Sequence, residues 1–273
     1  MINLFALSVV VGQSYYEQCL RTIPAWLKGW GMRDKWYIVI SDTGEPFVNP
    51  PWYKHEPDAF DVGYDPRRPW CARVVTQEFH RHGAFLNKGA GLNDVLRNQL
   101  HSDGHIIKEN FWILLFDCDI LPPPNWRQAV EAANPIPGHI YGCHRRQPGC
   151  GHTAFIAGKP EPDIYPDGVP CGYFMLFHAS DDAMKWTPAI PDQFYHAGSY
   201  DSELLERWPP GRQHMLPLIV DHLGEPGKNW FGPGNEARMA ELKANRRMGK
   251  SWRNETVANV AALHPRPDAT RPS

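Results

Sequence analysis

Apolar residues in this chain form short continuous runs that alternate with segments of helical period. Leu4–Val11 and Lys35–Ile40 are apolar almost throughout and rich in β-branched residues, which is typical of strands buried on both faces of a parallel sheet. Between them, Ser14–Trp30 carries apolar residues at helical spacing, with Pro24 as a potential kink. Phe111–Phe116 is the third predicted strand. Strands that alternate with helices indicate an α/β fold with a largely parallel sheet.

Weaker patterns complete the predicted order of elements. Further helices are predicted over 70–82, 88–101, 126–133 and 199–208, and further strands over 52–56, 139–143, 172–177 and 216–220. A long loop rich in glycine and proline is predicted over 147–171. The sequence from residue 235 onwards is polar and helical in character, and it ends in a predicted flexible tail over 261–273.

Composition narrows the classes of function. The 273 residues are 42% hydrophobic, which suffices for a sizeable core, and the formal net charge is -2. That charge excludes a protein held to nucleic acid by bulk positive potential. No segment approaches the roughly 20 apolar residues that a membrane span requires, so no membrane span is predicted. The first residues read as a strand instead of a signal peptide, and six scattered cysteines without a CxxC pair favour a reduced, cytoplasmic protein.

The strongest chemical signal follows the third strand. Its apolar run ends in Asp117-Cys118-Asp119, and three prolines at 122–124 then prevent the strand from continuing. Ligands of open α/β sheets collect at the carboxyl ends of strands. Two carboxylates placed there repel each other unless a cation lies between them, and Mg²⁺ or Mn²⁺ bound to substrate phosphates meets that need. The alternative is a turn with two solvated aspartates.

Four segments of the chain resemble motifs of a known family and occur in the order that the family has them. They are FLNKGAGLNDVLR over 85–97, LLFDCDILPPPNW around Asp117, GSYDSELLERW over 198–208 and IVDHLGEPG over 219–227. Together they resemble nucleotide-sugar glycosyltransferases of the type-A fold, family-2-like or galactosyltransferase-like. The resemblance implies one Rossmann-like α/β domain over 1–260 with a mixed, mostly parallel sheet. Residues 1–126 would form its nucleotide-binding half, and 127–234 its acceptor-binding half and lid.

The resemblance also implies an activity and roles for particular residues. The expected reaction is metal-dependent transfer of a sugar from a nucleoside-diphosphate sugar, as a family-level expectation a UDP-sugar, to an acceptor hydroxyl with inversion. Mn²⁺ or Mg²⁺ would be bound by Asp117, Asp119 and His222, and Gly172, Tyr173 and Tyr200 would face the sugar and acceptor. The expected donor-binding residues are Val11, Asp42, Asn87, Lys88, Asp117, Lys228 and Trp230.

The residues themselves support several of these roles and leave alternatives open. Asn87 and Lys88 open a predicted helix whose amino terminus suits an anion or a ribose, although they could simply cap the helix. The glycine-rich loop over 224–234 suits a mobile lid that carries Lys228 and Trp230, or an irregular surface loop. Asp42 precedes Thr43 and Gly44, so its side chain could form an Asx turn instead of contacting the donor.

A general base is predicted at the start of the helix over 199–208. Aligning the trailing leucine and arginine places Asp201 on the base position of the resembling family, with Glu203 as the second candidate. Acidic residues are also expected there because they complement the helix dipole. Tyr200 stands where the family usually has a glutamate, which is a departure that concerns acceptor recognition.

Other functions compete with this prediction. A nucleotidyltransferase would need a glycine-rich basic loop after the first strand, whereas VVVGQSYYEQ has no Lys or Arg before Arg21. A non-catalytic sugar-binding domain is the other alternative. Cys143, His144, Cys150 and His152 match no common zinc spacing, and Arg145 and Arg146 could instead face acceptor or phosphate. The acceptor stays open between a glycan, a small molecule and a modified nucleic-acid base, as do the donor base and the oligomeric state.

Overall fold

The computed structural model describes residues 2–31, 33–41, 70–79, 86–101, 110–192 and 200–223. Within these ranges an eight-stranded sheet consists of β1 Asn3–Val10, β2 Lys35–Ser41, β3 Trp70–Thr76, β4 Phe111–Asp117, β5 Ile120–Leu121, β6 Ile140–Arg146, β9 Phe174–His178 and β10 Gln213–His222. The order of these strands across the sheet is β3-β2-β1-β4-β9-β6-β10-β5. Strands β1, β2, β3, β4, β6 and β10 run in one direction, while β5 and β9 run against them. The predicted α/β fold with a mixed, mostly parallel sheet is confirmed.

Side chains of the sheet alternate between two apolar layers. Along β1, Leu4 and Ala6 enter one core while Phe5 and Leu7 enter the other, as the two-residue period of a strand requires. Helices α1 (Gln13–Leu27) and α3 (Trp126–Ala132) cover the first face, and α2 (Lys88–His101) and α4 (Tyr200–Leu205) cover the second. Because both faces are covered, the central strands are apolar throughout.

Two stretches differ from the sequence prediction. The helix predicted over 70–82 is wrong, because Trp70–Thr76 forms β3 and pairs in parallel with β2 from Lys35 to Ser41. Its β-branched end, Val74 to Thr76, favours an extended strand once an edge is available for pairing. The loop predicted over 147–171 contains a two-stranded antiparallel hairpin, β7 (Thr153–Ile156) and β8 (Lys159–Pro162). Its two prolines are tolerated because β8 is an edge strand.

Other boundaries agree closely with the predictions. Helix α1 runs unbroken through Pro24, and α2 has the predicted bounds. In the described part of the chain, no helix is long and apolar enough to cross a membrane. The predicted strand over 52–56, the lid over 224–234, the terminal helical segment and the tail all lie outside the described residues.

Candidate functional site

Polar side chains from four separate segments meet at the carboxyl edge of the sheet. Asp117 is the last residue of β4, and His222 is the last residue of β10. Two helices begin at the same edge, α2 with Lys88 and α4 with Tyr200. The antiparallel β9 enters there after Gly172 and Tyr173, and the Asp117 amide donates to the Tyr173 carbonyl at 3.2 Å. The fold therefore brings together residues more than 130 positions apart in sequence, from Lys88 to His222.

Lys88 forms a direct ion pair with Asp117. The Lys88 ammonium contacts Asp117 Oδ1, and it lies 5.0 Å from the centre of the Tyr200 ring. Burial alone would lower the pKa of Lys88, but the Asp117 carboxylate and the Tyr200 hydroxyl outweigh it and raise that pKa. Burial raises the pKa of Asp117 despite Lys88. The direct contact favours the charged pair, and a further cation nearby would offset the remaining cost of desolvating Asp117.

Asp119 is more deeply buried and less completely paired. Its carboxylate Oδ2 lies 3.2 Å from Nε2 of His222, and the residue is only 1% exposed. Asp119 Oδ1 and His222 Nδ1 are both buried without a hydrogen-bond partner among the described residues. A carboxylate oxygen accepts only, so burial without a donor is unfavourable unless a cation or a ligand supplies the missing contact.

Two side chains in this site therefore offer atoms that could bind a hard cation. Asp119 and His222 supply an oxygen and a nitrogen, which suit Mn²⁺ or Mg²⁺ together with phosphate oxygens of a substrate. The described residues contain no group of three or more His, Cys, Asp or Glu side chains arranged to hold a metal. Asp117, the third predicted ligand, is instead engaged by Lys88.

Asp201 is held by backbone amides at the start of α4. Its Oδ2 accepts the Gly172 amide at 3.1 Å, and its Oδ1 accepts the Ser202 amide at 3.0 Å. The Tyr200 hydroxyl donates to the Gly172 carbonyl at 3.2 Å. A Cβ at Gly172 would lie 2.9 Å from both Asp201 Oδ2 and the Tyr200 hydroxyl oxygen, so this close approach needs glycine. Tyr200 thus lies between Lys88 and Asp201.

The remaining predicted residues differ in their surroundings. Val11 is 8% exposed at the end of β1, where only its backbone could line a ligand pocket. Asn87 is fully buried; its amide oxygen accepts the Ala90 amide, and its nitrogen donates to the Asp192 carbonyl. Glu203 interacts electrostatically with Arg207. The predicted donor contacts Asp42, Lys228 and Trp230 lie outside the described residues.

A second polar cluster lies beside Asp201. The sequence indicated Arg145 as a candidate but did not predict this cluster. Arg145, from β6, packs its guanidinium over the rings of Tyr165 and Tyr173 at 4.2 Å and 4.7 Å. The same group lies 3.5 Å from Asp167. Burial raises the pKa of Asp167, as does the negative charge of Asp201, while Arg145 opposes both. The sequence signal was the double arginine at the end of a predicted strand, but nothing in the loop singled out Asp167.

The cysteines form no zinc site in the part of the chain that the structure describes. Cys143 is fully buried, and the described residues contain no group of three or more His, Cys, Asp or Glu side chains that could hold a metal ion. Cys150 and Cys171 are free and partly buried, and Cys19 and Cys118 are free and buried.

Comparisons with known proteins find only distant similarity in structure. No protein-family model and no curated protein matches the sequence. A glycosyltransferase involved in the glycosylation of the major capsid of PBCV-1 is 12% identical, with a TM-score of 0.33 over 81% of this chain and 82% of that chain. A nucleoside-diphosphate-sugar pyrophosphorylase from Vibrio cholerae RC9 is 10% identical, with a TM-score of 0.36 over 86% and 98%. Mouse xyloside xylosyltransferase 1 is 14% identical, with a TM-score of 0.31 over 76% and 73%. Similarity this distant assigns neither a family nor an activity.

Proposed function

We propose that this protein is a metal-dependent glycosyltransferase. It would move a sugar from a nucleoside-diphosphate sugar, as the resemblance implies a UDP-sugar, to an acceptor hydroxyl with inversion. The observation that carries the proposal is the carboxyl edge of the sheet, where one Asp119 oxygen is buried without a partner among the described residues. It lies beside His222 and near the Lys88–Asp117 pair. A diphosphate brought to this edge would meet both a cation and a buried ammonium.

In this proposal Asp119 and His222 hold Mn²⁺ or Mg²⁺. The bound cation would neutralise charge that develops on the leaving diphosphate. Lys88 keeps Asp117 in place at the end of β4, and its ammonium offsets the negative charge of that carboxylate at the edge where a diphosphate would bind. Because Lys88 is 8% exposed, the charge of its ammonium acts in an environment with little water, where it is worth more than at the surface.

Asp201 is the proposed general base. Its carboxylate would accept the proton of the acceptor hydroxyl while that oxygen bonds to the anomeric carbon and the bond from that carbon to the diphosphate breaks. The Gly172 and Ser202 amides fix the orientation of this carboxylate. Glu203, which interacts with Arg207 at the other side of the short helix, is the second candidate.

The proposal is tested by hydrolysis of a panel of nucleotide sugars, in which water replaces the acceptor. Wild-type protein with Mn²⁺ should release one nucleoside diphosphate, and Asp201→Asn should slow that release by about 100- to 10,000-fold. Glu203→Gln is the matched control and should stay close to the wild-type rate. Release of a nucleoside triphosphate on addition of pyrophosphate would instead indicate a nucleotidyltransferase. No turnover and no nucleotide binding would contradict both activities.

A further inference from the structure

Helix α1 contacts the turn that carries Asp119. Thr22 is fully buried on this helix, and its hydroxyl lies 2.8 Å from the Cys118 carbonyl oxygen, 96 positions away in sequence. Trp26, one turn later, donates its indole N–H to the Ile120 carbonyl at 2.9 Å. The two donors are four residues apart, so they lie on one face of the helix. That face is turned towards the strand end from which Asp117 and Asp119 project.

The turn is also held from its other side. The Leu223 amide, just after β10, donates to the Asp119 carbonyl at 2.9 Å. Three successive carbonyls of the turn, those of residues 118, 119 and 120, therefore each accept a hydrogen bond from a distant part of the chain. A turn fixed at three consecutive peptide groups has little freedom to reorient the side chain between them.

Thr22 does not need the Cys118 carbonyl to satisfy its own hydroxyl. The same hydroxyl lies 3.0 Å from the carbonyl of Cys19, the usual partner of a threonine inside a helix. A hydroxyl has one proton to donate, and the shorter contact is the long-range one to Cys118. The threonine therefore donates to the turn in preference to its own helix, which a valine of the same shape could not do.

We propose that Thr22 and Trp26 are positioning residues for Asp119. Thr22 holds the peptide group that precedes Asp119, and Trp26 holds the carbonyl of Ile120, the residue that follows it. The Asp119 oxygen that has no partner among the described residues is thereby presented to a cation together with His222. The inference rests on the proposed function, because it assumes that a cation binds beside Asp119. It assigns a role to two residues of α1 that contribute no side chain to the site itself. Outer partners of metal ligands commonly change metal affinity by about 10- to 100-fold.

The test is a Mn²⁺ titration of the full chain, followed by the electron paramagnetic resonance signal of free Mn²⁺, with and without UDP. Thr22→Val keeps the shape of the side chain and removes the donor, and it should weaken Mn²⁺ binding by about 10-fold. Thr22→Ser retains a hydroxyl at this position and should bind Mn²⁺ as tightly as the wild type does. Ile23→Val removes a buried methyl group from the same helix but no hydrogen bond, and it should also bind as the wild type does.

Each outcome separates the inference from the proposed function. Equal affinity of Thr22→Val and wild type, or equal weakening in Ile23→Val, overturns the positioning role and leaves the metal site in place. Absence of Mn²⁺ binding by the wild type, with or without UDP, contradicts the metal site and therefore also the inference. If Thr22→Val does not fold, Trp26→Phe removes the second donor while keeping an aromatic ring, and the same 10-fold loss is expected.

Discussion

Two ion pairs lie at opposite ends of the same sheet, and the buried carboxylates there differ in how completely they are paired. At the amino end, Asp34 accepts from the Leu4 amide at 2.7 Å, the Gly31 amide at 2.6 Å and Arg127 at 2.9 Å. At the carboxyl end, Lys88 holds Asp117, but the adjacent Asp119 retains a buried oxygen without a partner among the described residues. Complete pairing is typical of a structural contact, whereas an unpaired buried carboxylate oxygen indicates a place for a ligand.

The largest effect on stability is expected at the amino end. Arg127→Met would leave Asp34 buried without its cation, which should lower the free energy of unfolding by about 3–5 kcal/mol. Burial already raises the pKa of Asp34 against the opposing effect of Arg127, and the variant should raise it further. A carboxyl whose folded pKa lies above its unfolded value destabilises the fold as it ionises. The loss should therefore grow as the pH rises above about 4.

Urea unfolding of this variant at several pH values provides the measurement. The double variant Asp34→Asn with Arg127→Met removes the uncompensated charge and should recover much of the lost stability. If Arg127→Met alone is no less stable than the double variant, the Asp34–Arg127 pair does not hold this end of the sheet. Mn²⁺ should stabilise these variants no more than it stabilises the wild type, because no cation is expected beside Asp34.

A smaller, metal-sensitive effect is expected at the carboxyl end. Lys88→Met removes the charge-assisted contact to Asp117, and without metal it should lower the free energy of unfolding by about 1–3 kcal/mol. The effect is smaller than for Arg127→Met because the Asp117 side chain is 33% exposed. Mn²⁺ should stabilise this variant more than it stabilises the wild type, since the bound cation would also offset the Asp117 charge that Lys88 no longer pairs. Thermal melts of wild type and both variants with and without Mn²⁺ test the contrast, and an equal gain in all three proteins contradicts it.

The sequence predicted the central strands better than the edges. Strands β2 and β4 were predicted to within one residue because each is a continuous apolar run that is buried on both faces. The segment that forms β3 was predicted to be a helix, because this seven-residue edge strand lacks a clear alternation of apolar and polar residues. The β7–β8 hairpin was missed since its prolines read as loop.

The sequence predicted which residues lie at the site better than it predicted the contacts between them. The strand ends at Asp117 and His222 follow from the apolar runs that precede them, and the structure places both at the carboxyl edge of the sheet. The pairing of Asp117 with Lys88 could not be predicted, because it depends on where α2 begins relative to the end of β4. The roles of Arg145, Asp167 and Thr22 depend likewise on contacts between segments that only the tertiary fold brings together. The assigned ligand and catalytic roles remain predictions.

The most direct test of the metal-diphosphate site compares donor hydrolysis by wild type and Asp119→Asn, with and without Mn²⁺. The wild type should release one nucleoside diphosphate only when Mn²⁺ is present. Asp119→Asn should lower that rate by at least about 100-fold, or roughly 3 kcal/mol, while its melting temperature falls little because a buried, partly unpaired charge is removed. Equal hydrolysis with and without Mn²⁺, or an Asp119→Asn variant as active as the wild type, would contradict the proposed site.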